Sequence, residues 1–208
     1  MAAALPSILL CAFGVAGLII EIHQQWPERG HSKSWILIAS EISSIIFLLM
    51  QAALLSARRL PILKYPGLIP RLWAIVAANF SYSLVLLPKA GYSDVISAIS
   101  SAVLVVGTIG AAFTLFHLRR GFAILPQARA LAITGPYRII RHPLYLFEQI
   151  SMFGVSLQYL QPWAFGIAIV GFALQFPRMR FEEEIMAEAY PAYREYTVHT
   201  PKIVPWLY

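Results

Sequence analysis

Leu131, Ala132, Ile133, Thr134, Gly135, Pro136, Tyr137, Arg138, Ile139, Ile140, Arg141, His142, Pro143, Leu144, Tyr145 is the stretch on which the reading of this chain turns. Gly135-Pro136 marks a turn, because glycine tolerates positive φ and proline pre-sets φ at the next position. Pro143 restricts His142 to extended backbone and suits the first turn of a helix, where a missing N–H costs nothing. Two arginines, one imidazole and two phenols are thereby held on a short, stiffened connector just ahead of an apolar run. Such a connector is an address for an anionic or π-rich ligand.

Working outward, the apolar flanks dominate. The 208 residues are 59% hydrophobic and 12% charged, with mean hydropathy +0.67, a composition far outside that of soluble domains. The chain reads as an integral membrane protein and an all-α, polytopic helical bundle forming one structural domain. About six spans are expected at ~20 residues each. Leu5 to Ile22 is the first, a retained span and not a cleaved signal, because no basic segment precedes it. Trp35 to Ser56 is the second and carries Glu41; Leu72 to Leu87 is the third. Val95 to Leu118, rich in Ser, Ala and Gly that permit close helix packing, is the fourth. Leu144 to Tyr159 and Trp163 to Phe176, separated by Gln161-Pro162, form a helical hairpin. Arg178 to Tyr196 reads as an amphipathic cytoplasmic helix, ended by Pro201 and Pro205. Residues 1–118 are then a four-span region, and 119–208 carry the chemistry.

Charge tests this count, because cytoplasmic loops concentrate Lys and Arg. The Arg58 to Arg71 loop holds four, the Arg119 to Arg141 connector five and the segment after Phe176 four of the 16 basic residues. Six spans with both termini cytoplasmic satisfy every loop. The net charge of +6 is thereby explained by topology and anionic headgroups, with no nucleic-acid module. Cys11, alone in an apolar run, excludes an internal disulfide and reads as packing. No metal site is expected, since the histidines are scattered and lack ligand spacing. No Gly-x-Gly-x-x-Gly or Walker sequence is present, which argues against a soluble nucleotide-binding fold.

A second cluster follows the hairpin: Arg178, Glu182 and Glu183, then Tyr190, Tyr193 and Tyr196, then Lys202. Arg178 and Glu182 stand four apart, on one helix face, where the chain leaves the membrane. The bland reading is a surface ion pair of ~0.3–0.5 kcal/mol.

Together these two clusters resemble the isoprenylcysteine carboxyl methyltransferases. The family signature reads roughly Leu-Val-Thr-x-Gly-Pro-Tyr-x-x-x-Arg-His-Pro-x-Tyr, and its C-terminal block Arg-x-x-x-Glu-Glu, an aromatic, Tyr-x-x-Tyr, then a basic residue and Pro. Matches run through Gly135, Pro136, Tyr137, Arg141, His142, Pro143 and Tyr145, and again from Arg178. Departures fall at Ala132 and Ile133, at His199, and at Phe147, where a Gly or Ala is usual and a Phe could narrow a channel. The resemblance covers roughly the last 80 residues and implies S-adenosylmethionine as cofactor. It implies a cofactor site at Leu131, Ala132, Tyr137, Arg141, His142, Pro143, Leu144, Tyr145 and Glu182. Arg178 would engage the acceptor carboxylate as the catalytic residue, and Glu148, one turn after the signature, would face the acceptor.

The chemistry of these residue types agrees. S-adenosylmethionine carries a sulfonium cation, an amino-acid group, a ribose and an adenine, so it needs an acidic acceptor, donors for a carboxylate, and aromatic edges. A carboxylate acceptor requires no general base, because with pKa ~4 it is already ionised, and positioning is the main task. The expected acceptor is a prenylated cysteine or similar lipophilic carboxylate arriving from the bilayer. Three rivals remain: a lipid-amine (phospholipid) methyltransferase, a sterol-reductase-like NADPH enzyme, and a non-catalytic transporter or scaffold.

Overall fold

The computed structural model describes residues 5–25, 34–88 and 93–204. Among the described residues seven α-helices carry the fold: α1 Leu5–Gln25, α2 Ser34–Ser56, α3 Ile69–Asn79, α4 Asp94–Leu118, α5 Pro143–Leu157, α6 Pro162–Ala189 and α7 Pro191–His199. Two two-residue strands, β1 Leu63–Lys64 and β2 Gln127–Ala128, pair antiparallel, Leu63 with Ala128 and Lys64 with Gln127. The architecture is all-α, as the length of the apolar runs implies. Among the described residues three helices, α1, α2 and α4, are long and apolar enough to cross a membrane.

The remaining segments depart from six uniform spans. The third is α3 followed by a 3₁₀ helix, Phe80–Leu86, together about 30 Å at 1.5 and 2.0 Å per residue. Aromatic and serine residues after Asn79 favour the tighter turn, and the Ser83 hydroxyl donates back to the Phe80 carbonyl at 2.7 Å. α5, at 15 residues, is about 22 Å long, shorter than the ~30 Å hydrocarbon core. The hairpin turn at 158–161 is as expected. The sixth span and the tail helix, however, are one rod: α6 runs straight through Pro177, and the break comes at Tyr190-Pro191. Near Pro177, α3 and α6 are tied by two hydrogen bonds, Trp73 Nε1 to the Leu174 carbonyl and Gln175 Nε2 to the Ala77 carbonyl, both 2.9 Å. Neighbouring side chains of this kind are what lets a proline stay inside a membrane helix.

Packing runs in the order α1, α2, α4, α5, α6, α3, so the helices curl with α1 and α3 as the two ends. The tightest seam is α4 on α5. Ser100 Oγ donates to the Gly154 carbonyl at 2.7 Å, and a methyl group on Gly107 would collide with the Ser151 backbone. Phe147 fills the space above Gly110 in the same seam and joins the apolar cluster of Leu55, Ala111, Leu115 and Leu144. The side chain that a sequence reading could place in a channel is thus part of the helix interface.

Both basic connectors gather at one end of the bundle. Arg59 N donates to the Arg120 carbonyl at 3.0 Å, Ile62 N to Ala128 at 2.8 Å and Tyr65 N to Pro126 at 3.1 Å. The Tyr65 hydroxyl reaches Glu184 on α6 at 2.5 Å. The three Arg- and Lys-rich segments therefore share one side, as the charge count demands.

Candidate functional site

The connector is shaped by its two prolines. Gly135 adopts φ 61°, and a side chain there would strike the His117 ring at the end of α4, so only glycine lets the turn 135–138 seat on that ring. His142 precedes α5 at φ −125° and ψ 57°, outside the extended backbone expected ahead of a proline, and Pro143 is the first residue of the helix. His142 and Tyr145 are thereby placed one turn apart, with ring centroids at 5.5 Å.

α6 brings the second cluster against the first. The Tyr145 hydroxyl donates to Glu182 Oε1 at 2.6 Å, and Arg178 Nε lies 3.3 Å from the same oxygen. The Arg178 guanidinium is buried and sits 5.0 Å from the centre of the Tyr145 ring. One turn face away, Glu183 is a hub: Arg141 Nη1 at 3.2 Å, His142 Nε2 at 2.9 Å and Lys202 Nζ at 3.1 Å surround it. Burial alone would raise the Glu183 carboxyl, but His142, Arg141 and Lys202 outweigh it and hold it below the usual carboxylate range. The backbone closes the same contact, with Arg141 N donating to Pro201 at 2.8 Å and His142 N to Lys202 at 3.0 Å. Residues 201–203 thus strap across the connector. On α7, Tyr196 donates to the Tyr137 carbonyl at 2.6 Å, and burial pushes the Tyr137 and Tyr196 hydroxyls well above their ordinary range.

These groups enclose a cavity of about 110 Å³. Ala132, Tyr137, Arg141, His142, Leu144, Tyr145, Arg178 and Glu182 all line it, which brings the two sequence clusters to one place. Leu131 and Pro143 are not among the lining residues: the extended segment contributes Ala130 and Ala132, and Pro143 is packed into the start of α5. Arg129, Tyr193, Tyr196 and Met186 complete the wall. Of these Arg129 carried no motif; it looked like one more loop cation, whereas it is buried and donates to the Arg59 carbonyl and to Gln127.

A second, larger cavity of about 380 Å³ lies between the helices and shares Phe122, Leu144, Tyr145 and Arg178 with the first. Glu148 lines this one and not the other, while the buried Glu41 lines neither. Its walls also carry Gln51, Asn79, Tyr82, Gln149 and Gln175, drawn from separate helices and invisible to any local motif.

The donor set of the smaller cavity fits a sulfonium nucleotide. Arg129 Nε and Arg141 Nε are buried without a hydrogen-bond partner, leaving donor capacity for a carboxylate, and Glu182 supplies an acceptor. Pockets for ligands of that size usually run ~300–1,000 Å³, so the cavity as it stands is smaller than such a ligand needs. Among the described residues no group of three or more His, Cys, Asp and Glu could hold a metal ion.

Fold and site together define a helical membrane protein with a pocket at one end, lined by charged and aromatic groups, that shares a wall with a larger cavity among the helices. The phospholipid methyltransferase family matches residues 90–193, from the start of α4 into α7. The chain belongs to that family, which includes membrane methyltransferases like the isoprenylcysteine enzymes. It is similar to the nickel-cobalt-cadmium resistance protein NccN of Alcaligenes xylosoxydans xylosoxydans, 30% identical over 114 residues, 52% of this chain and 53% of the relative. It is also similar to the cobalt-zinc-cadmium resistance protein CzcN of Cupriavidus metallidurans, 32% identical over 78 residues, 37% and 36% of the two. The matches span about half and about a third of those relatives' lengths.

Proposed function

We propose that this protein transfers a methyl group from S-adenosylmethionine to the carboxylate of a membrane-resident amphiphile, a prenylated cysteine or similar lipophilic acid. The observation that carries this reading is Arg178, buried in the wall common to both cavities. The bound cofactor would supply an electrophilic methyl, the acceptor oxygen forming the new C–O bond as the C–S bond breaks and its electron pair stays on sulfur. Glu182 and the donors of Arg129 and Arg141 would hold the cofactor's charged ends, and Tyr137 and Tyr145 its flat ones. Arg178, held by Glu182 and stacked on Tyr145, fixes an acceptor carboxylate at the boundary between the chambers. Orientation of this kind can contribute several kcal/mol to a barrier. Desolvation assists, since an anion and a cation neutralise each other on the way to the transition state.

The basic connectors that gather around the smaller cavity support a cytoplasmic placing of that end, with both termini on the same side. A labelled-methyl assay on purified protein, with prenyl-cysteine and phospholipid acceptors side by side, tests the reading; label in the ester fraction alone is expected. Glu148 in the larger cavity and the family description favour one second reading, methylation of a lipid amine. An amine must lose its proton first, so that activity would fall steeply below neutral pH, whereas carboxylate methylation would not.

A further inference from the structure

The three arginines in the wall of the smaller cavity are not equivalent. Arg178 is paired with Glu182 and Arg141 with Glu183. Arg129 is 6% exposed, and the oxygens that its two Nη groups reach are neutral: the Arg59 carbonyl and the Gln127 side-chain amide. Among the described residues no carboxylate pairs with it, and its Nε is buried without a partner. Burial, with Arg58 nearby, pushes the guanidinium below the ordinary arginine range. Buried charges are stabilised by an opposite charge, and Arg129 is the arginine of this wall that an anion would satisfy.

Its position is fixed from outside the cavity. Arg129 follows directly on β2, whose Ala128 is fully buried and accepts from Ile62 N at 2.8 Å. The loop between α2 and α3 thus holds both the backbone just before Arg129 and, through the Arg59 carbonyl, its side chain. Such preorganisation favours a ligand by lowering the cost of ordering the site. Which anion fits follows from the cavities. Arg129 lines the smaller one and not the larger, so it faces the cofactor and not the acceptor that Arg178 would hold. The anionic group of S-adenosylmethionine is the α-carboxylate of its amino-acid end. Glu182, among the described residues the one acid in that wall, suits the ammonium beside it. Arg141 Nε also lacks a partner, but Glu183 already balances the charge of Arg141, so this residue can add a hydrogen bond and not the ion pair.

Resting on the methyltransferase reading above, we propose that Arg129 is the ion-pair partner of the cofactor's α-carboxylate. It is a cofactor-binding residue outside both sequence clusters, and the loop between α2 and α3 positions it. The cofactor site then draws on the first half of the chain as well as the second.

The test is calorimetry on the full chain in lipid nanodiscs with S-adenosylhomocysteine and with methylthioadenosine, which lacks the amino-acid end. The parent protein should prefer S-adenosylhomocysteine. Arg129→Gln should lower that preference by roughly 10- to 100-fold, the range for hydrogen bonds to charged groups, while methylthioadenosine still binds; Arg141→Gln should lower it by less. A preference unchanged in Arg129→Gln, or lowered as far by Arg141→Gln, overturns the proposal and leaves the methyltransferase reading standing. If the parent binds neither nucleoside, that reading has failed, and the proposal with it. Should Arg129→Gln bind neither, Arg129→Lys takes its place: a fall in the preference supports the proposal, and an unchanged one overturns it.

Discussion

The two cavities are built in opposite ways. Around the smaller one, side chains from two short stretches lock onto each other: Glu182 and Glu183 bind five partners at 2.6–3.3 Å. Around the larger one, six helices all contribute, most of them several residues, and most polar groups turn back onto a nearby backbone or one another. The first is a preformed constellation whose geometry depends on each member. The second is a chamber whose shape depends on helix packing, with few specific contacts for a ligand to compete against. On the proposed reading, cofactor recognition falls to the first kind of site and acceptor tolerance to the second.

The strongest way to break this contrast is Arg178→Ala, at the shared wall. Methyl transfer is expected to fall by on the order of 10²-fold or more through lost positioning, while calorimetry still finds S-adenosylhomocysteine bound; loss of both would merge the two sites into one. Next, Glu182→Gln should weaken that cofactor affinity by roughly 10- to 100-fold, the range for hydrogen bonds to charged groups. Unchanged affinity would remove Glu182 from the cofactor side. Gly110→Ala probes the packing that shapes the chamber: overfilling against Phe147 should cost about 1–3 kcal/mol in thermal unfolding, without altering acceptor preference.

The smallest expected effect concerns the strap. Because the folded Glu183 carboxyl is held below its usual range, its contribution is complete above the unfolded value of ~4.3 and is lost as pH falls through the folded one. Melting temperature should drop in acid below about pH 4, and Glu183→Gln should flatten that slope. An identical slope in the variant would assign the acid sensitivity elsewhere.

Much of the first site could be read from order alone, because its members sit on two local patterns: Gly135-Pro136 and His142-Pro143 dictate backbone, and the spacing of Arg178 and Glu182 dictates a helix face. Arg129 escaped notice since nothing in its neighbourhood distinguishes a buried cation from a loop cation. The chamber was illegible for a different reason. Gln51, Tyr82 and Glu148 are far apart in the chain and become neighbours only through the α1, α2, α4, α5, α6, α3 packing order, which hydropathy does not encode. Phe147 shows the same blindness in reverse, as its partner Gly110 lies 37 positions earlier. The continuity of α6 was hidden by Pro177, which reads as a helix end until the ties from Trp73 and Gln175 are seen.

That unbroken rod has a mechanical consequence. At about 42 Å, α6 carries lipid-facing turns and Arg178 with Glu182 on a single axis, so a small tilt at Pro162 swings both side chains together relative to α5. On the proposed reading, bilayer thickness would act as a screw adjustment on the gap between donor and recipient, and turnover in nanodiscs should peak at one acyl-chain length and decline on either side.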